Sequence, residues 1–146
     1  MARILGIDYG EKRMGISISD ERRKIALPLE TICGEDEIFL QRVGMLIAQH
    51  NICEIVIGLP LNLSGDESPM SVKVRDFARR IGSFGVRISF VDERLTTVEA
   101  ERALRELGTE PSKNRERLDI IAATLILQTY LDTVNISENE PEDKSQ

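Results

Sequence analysis

Four acids stand at the polar ends of apolar runs. Asp8 follows ARILGI and precedes Gly10, Asp92 and Glu93 follow VRISFV, and Asp119 sits among Leu118, Ile120 and Ile121. A carboxylate at the margin of an apolar element is costly to bury unless something holds it. Each of these acids is a surface residue, a helix-capping group or the holder of a ligand. Carboxylate oxygens suit hard divalent cations such as Mg2+ or Mn2+, not the metals that seek thiolates. Ions held by grouped carboxylates turn water into a nucleophile and stabilise the leaving oxygen in phosphodiester hydrolysis. Other site chemistries lack their parts. His50 is the only histidine, and Cys33 and Cys53 show no CxxC spacing, so neither a zinc site nor an imidazole base is expected.

The elements that must position these acids follow from the hydrophobic pattern. ARILGID at 2–8 reads as a central strand with little alternation. RMGISISD at 13–20 alternates as a second strand, and KIALPLETI at 24–32 is a third, with Pro28 marking an edge or bulge. Ile38, Phe39, Val43, Leu46 and Ile47 fall at helical spacing over 36–50. EIVIGLPL at 54–61 is a short apolar strand. The loop 61–69 then leads through Ser68-Pro69 into a helix that Gly82 and Gly85 end. VRISFVDE at 86–93 is the fifth strand. A short helix is expected from Thr97 to Gly108, with Thr96 and Thr97 as caps, and the last, most apolar helix spans 118–132. Three strands in a meander followed by helix–strand alternation predict an α/β fold: a mixed five-stranded sheet with helices on both faces. Sites in open α/β sheets gather at the carboxyl ends of strands. If the first and last parallel strands are neighbours, that end brings the acids together.

One domain over 1–134 and an acidic disordered tail over 135–146 account for the chain. The last ten residues, SENEPEDKSQ, carry three of the six net negative charges, so net charge does not decide against a nucleic-acid partner. No apolar stretch approaches the roughly 20 residues of a membrane span. The N-terminus has no leader pattern and the cysteines read as free thiols, so a cytoplasmic protein is expected. Basic residues near the acids are candidate nucleic-acid contacts: Lys12 and Arg13 after Asp8, Arg94 beside Glu93, and Lys113, Arg115 and Arg117 before Asp119. Lys73, Arg75, Arg79 and Arg80 form a further basic row that also fits a solvated face. The glycine-bearing loop 62–68 could meet phosphates through its N–H groups.

Taken together, DYGEKRMGISISD at 8–20, GLPLNLSGDES at 58–68, VDERLTT at 91–97 and LDIIAATLILQTYLD at 118–132 resemble the YqgF/RuvX family. These are nucleases assigned to pre-16S rRNA and also described as Holliday junction resolvases. The match runs in order over about residues 3–132. The resemblance implies an RNase H-like fold. It implies catalytic and metal-holding roles for Asp8, Glu93 and Asp119, with Asp92 the alternative second acid, and Mg2+ or Mn2+ as cofactor. It also implies a cytoplasmic hydrolase acting at the 5′ end of pre-16S rRNA during ribosome biogenesis. In other RNase H-like nucleases the second acid usually sits on the fourth strand. Here that strand ends in Gly58-Leu59-Pro60, so the fifth strand must supply it.

Three other readings compete. A resolvase of four-way DNA in recombination and repair would need paired active sites, hence a dimer; the sequence leaves monomer and homodimer open. A ribosome-assembly factor that binds nucleic acid without cutting it would keep the same acids. An actin-like ATPase would share the DxG motif but normally needs a longer chain with a second phosphate loop.

Overall fold

A computed structural model of the chain describes residues 2–95 and 112–139. Strands β1 (Arg3–Tyr9), β2 (Arg13–Ser19) and β3 (Ala26–Cys33) form the expected meander. Helix α1 (Asp36–His50), β4 (Ile52–Leu59), α2 (Pro69–Gly82), β5 (Arg87–Asp92) and a 3-10 turn (Glu93–Leu95) follow, then the long helix α3 (Ser112–Asn139). The sheet order is β3-β2-β1-β4-β5, with β1, β4 and β5 parallel and the meander antiparallel. This is the mixed five-stranded α/β sheet of the RNase H-like type, covered on both faces. The short helix expected over 97–108, with its caps Thr96 and Thr97, lies outside the described residues.

The two faces of the sheet are built differently. Leu5, Ile7, Met14, Ile16, Ile55 and Ile57 point to one side and pack under Phe39 and Val43 of α1 and Val74 and Phe77 of α2. Their neighbours in the period-2 pattern point to the other side. There Ile4, Val56 and Val91 meet Ala122, Ile126, Leu127 and Leu131 of α3. On this second face β1 and β2 carry small residues. A Cβ on Gly6 would come within 2.7 Å of the Leu127 Cβ, and one on Gly15 would fall on the Asp119 carbonyl oxygen. Ser17 donates its hydroxyl to the Ala123 carbonyl at 2.7 Å. The backbone of α3 therefore lies directly on the meander, closer than branched side chains would permit.

Two features depart from expectation. First, β4 lies between β1 and β5, so the strands bearing Asp8 and Asp92 are not neighbours. Second, α3 starts at Ser112, not near 118, and runs to Asn139. Its basic lead-in is helical, and residues 135–139, assigned above to the tail, continue the helix. The edge or bulge expected at Pro28 is present as both: β3 is an edge strand, and pairing shifts between Ile16 and Ser17, leaving Leu29 without a ladder partner.

Candidate active site

Asp8, Glu93 and Asp119 are 2%, 2% and 3% exposed. Each reaches the same end of the same sheet face by a different route. Asp8 shares the α3 face of β1 with Ile4 and Gly6, four and two residues earlier, at the C-terminal end of the strand. Its cross-strand partner on β2 is Gly15. On β4, pairing of Ile7 with Ile57 brings Gly58 next to Asp8. Asp8 is thus flanked on both sides by glycine, and each glycine lies under another acid. Above Gly15 is the Asp119 segment of α3. Above Gly58 is the Glu93 carboxylate, whose Oε1 stands 2.5 Å from where a Cβ would be. Glu93 belongs to the 3-10 turn after β5 and reaches back over β4 to that position.

This arrangement replaces the expected adjacency of the first and last parallel strands. With β4 interposed, an ordinary side chain at position 58 would separate Asp8 from Glu93. The glycines were not picked out as part of the site in the sequence. Their signal is a glycine inside an otherwise apolar strand, which marks a close approach of another group.

The basic residues divide. Arg13, on the α3 face of β2, donates from Nε to Asp119 Oδ2 at 2.8 Å. Arg94 is held by Asp92: its Nε lies 3.0 and 3.1 Å from the two carboxylate oxygens and its Nη2 2.6 Å from Oδ2. Hydrogen bonds from Arg94, side chain first, hold the Asp92 carboxyl below its ordinary range. Of the two candidate second acids, Asp92 is committed to this pair while Glu93 lies over Gly58. Lys12 is exposed at the β1–β2 turn. Arg115 stands one helical turn before Asp119, on the same side of α3, and Arg117 is exposed on another side. The side chain of Lys113 lies outside the described residues. The row on α2 is tied up on the opposite face of the sheet: Lys73 with Glu11, Arg75 with Glu67, Arg79 with Asp76 and Arg80 with Glu37. His50 is the last residue of α1, and both cysteines are free and exposed.

A buried carboxylate away from this cluster helps to fix it. Glu54 Oε2, on β4, accepts from Ser89 Oγ of β5 at 2.6 Å and from Tyr130 Oη of α3 at 2.7 Å. One group thereby joins three elements, two of which lead to Glu93 and Asp119. Burial, then the bond to Glu54, pushes the Tyr130 hydroxyl up.

The donor set suits a hard divalent cation: three carboxylates, no thiol and no imidazole, in a water-poor corner with two missing side chains. As the side chains stand, among the described residues no three carboxylate, imidazole or thiol groups converge on one point closely enough for an ion, and Arg13 holds one oxygen of Asp119. The residues fit such an ion in kind. No described helix is long and apolar enough to cross a membrane.

Comparison with known proteins gives the family. Proteins from Chloroflexus aggregans (40% identical over 131 residues, 88% of this chain and 92% of the relative) and Ruminiclostridium cellulolyticum (41% over 135 residues, 90% and 95%) both bear the name "Putative pre-16S rRNA nuclease". Among solved structures, Thermus thermophilus RuvC in complex with a Holliday junction superposes with a TM-score of 0.57 at 15% identity, over 92% of this chain and 97% of that one. A fowlpox virus resolvase bound to junction DNA gives 0.52 at 12%, over 90% and 98%. At these identities the structures share the fold. A family model described as RuvX, Holliday junction resolvase, matches residues 2–133. Nearly the whole described chain is thus accounted for, and the protein belongs to the RuvX family of nucleases.

Proposed function

We propose that this chain is a metal-dependent nuclease that matures the 5′ end of pre-16S rRNA in the cytoplasm, with Asp8, Glu93 and Asp119 as its catalytic carboxylates. The observation that carries the reading is the pair of glycines beside Asp8, each leaving room for another buried acid on one face of the sheet. Asp8 and Glu93 would hold the ion or ions across Gly58, and Asp119 would complete the set once Arg13 moves aside. Bound Mg2+ or Mn2+ supplies a nucleophilic water and neutralises the leaving oxygen. The chain's own residues orient the phosphodiester and keep bulk water away. Arg13, freed from Asp119, and Arg115 on the same side of α3 are the cations best placed to meet phosphate oxygens. Lys12, Lys113 and Arg117 would add weaker, salt-sensitive attraction. The full pairing of Asp92 with Arg94 favours Glu93 as the second acid.

The names of the relatives support RNA as substrate. The RuvX description and the RuvC-like fold favour a second reading, cleavage of four-way DNA by a homodimer. Parallel cleavage assays separate the two. An RNA spanning the 5′ boundary of mature 16S rRNA and a mobile four-way junction are each incubated with Mg2+ or Mn2+ and with wild type or Asp8→Asn. Cleavage of the RNA alone, lost in the variant, is the expected result. Cleavage of the junction alone transfers the assignment to the second reading. Equal cleavage by wild type and Asp8→Asn refutes the carboxylate mechanism, and binding without cleavage of either substrate makes the protein an assembly factor.

A further inference from the structure

The β4–α2 loop is unusually well tied for a polar surface connection. Asn62 N–H donates to the Asp66 carbonyl, Gly65 N–H to the Asn62 carbonyl, and Asn62 Nδ2 to the Glu67 carbonyl. Ser68 closes the loop by donating to the Pro60 carbonyl, and it caps α2 in a reciprocal box with Ser71. Glu67 ties the loop to Arg75 of α2, and Arg94 ties it to the turn after β5. Its Nη1 donates to the Leu63 carbonyl at 3.1 Å, and its guanidinium lies against Gly65, where a Cβ would come within 3.3 Å of Nη1. Gly65 has φ +93°, a conformation costly for other residues. At its other edge the same guanidinium is fixed by both oxygens of Asp92, and Asp92 also accepts from the Arg94 backbone N–H at 3.0 Å. A planar group with donors on several edges is the side chain suited to such a bridge.

We propose that Arg94 is a positioning residue that clamps loop 61–68 to the turn bearing Glu93, so that the loop forms a fixed wall for the nucleic-acid strand entering the carboxylate site. The inference rests on the nuclease reading for the identity of the strand. The wall presents Leu63, 81% exposed at the clamp point, as an apolar contact for a base or sugar. Asp92 is the anchor of the clamp, not a metal ligand. Without it, the loop must be ordered each time substrate binds, and that cost falls on affinity, not on the chemical step.

The test measures Arg94→Gln, with Gly65→Ala as a variant that disturbs the clamp from the loop side and Leu63→Ala as one that removes only the contact. Three readouts are taken: amide exchange of 61–67, the Kd of a labelled 16S-boundary RNA in EDTA by fluorescence anisotropy, and the Mn2+-induced rise in Tm. The expected result is faster exchange in Arg94→Gln and Gly65→Ala and about tenfold weaker RNA binding in both. Leu63→Ala binds several-fold more weakly with unchanged exchange. The Mn2+ response stays that of wild type throughout, and where RNA is cut, KM rises while kcat holds within about threefold. Unchanged exchange in Arg94→Gln, or faster exchange with unchanged Kd, overturns the clamp. A kcat loss at constant KM overturns it in favour of direct catalysis by Arg94. Because affinity is read in EDTA, absence of cleavage by wild type would sink the nuclease reading without deciding this one.

Discussion

Gly58 is the position at which one methyl group tests the site. A Cβ there would stand 2.5 Å from Glu93 Oε1 and 2.5 Å from Ile126 Cδ1, with Ile126 Cγ1 at 3.1 Å. Ordinary contact begins near 3.4 Å, so the Glu93 oxygen must retreat by about 0.9 Å to relieve the overlap. Both obstructing groups are ends of flexible side chains. Gly58→Ala is therefore expected to fold, losing the roughly 1–3 kcal/mol typical of overpacking a core. At about 3–4 °C per kcal/mol for a chain of this size, Tm falls by roughly 3–12 °C. Activity suffers far more. A displacement near 1 Å of a group that orients the reacting centre costs on the order of 100-fold. The assay is single-turnover cleavage of the 16S-boundary RNA at saturating Mg2+, well below the variant's Tm, beside circular dichroism. A folded Gly58→Ala that cleaves within threefold of wild type would refute the placement of Glu93 over Gly58 as the basis of the site.

Other perturbations separate packing from charge. Gly15→Ala places its methyl on the Asp119 carbonyl, which is backbone and cannot swing away. The whole of α3 must shift, so this variant should lose more stability than Gly58→Ala, measured by urea unfolding. Arg13→Gln removes the charged partner from the Asp119 carboxylate, which lies almost wholly out of solvent. Stability in EDTA should fall by about 2 kcal/mol, and Mn2+ should raise Tm more in the variant than in wild type; an equal rise would show that Arg13 and metal do not compete. The Asp92 carboxyl is held below its ordinary range by Arg94. A group whose folded pKa is depressed contributes stability above its unfolded pKa, near 4, and loses it as pH falls through the folded value. Asp92→Asn should thus be less stable than wild type at pH 7, with the difference shrinking below pH 4, followed by thermal melts from pH 7 to 3.

Much of this protein is legible along the chain. Runs of β-branched residues, helical periodicity and the Ser68-Pro69 and Gly82 signals are local properties, and they located every described strand and α-helix within a few residues, apart from the early start and late end of α3; the 3-10 turn at Glu93 was read as the end of β5. The early start of that helix is hidden because 112–117 is polar and charged, so no apolar stripe announces it; there Thr31 of β3 donates to the Glu116 carbonyl. The three acids were visible as charges in apolar company, which is a statement about cost that needs no coordinates. Their assembly was not visible. Chain order cannot say that β4 would lie between β1 and β5, nor that Glu93 would lie over β4 at position 58, which has no side chain. Nor does a row of basic residues reveal its partners: those of α2 are spent on Glu11, Glu67, Asp76 and Glu37, while Arg13 and Arg94 meet Asp119 and Asp92. Residue types and periodicity set which groups could react, because those depend on composition and local backbone preference. Which groups meet depends on strand order and on the space left by missing side chains, and these arise only when the elements pack.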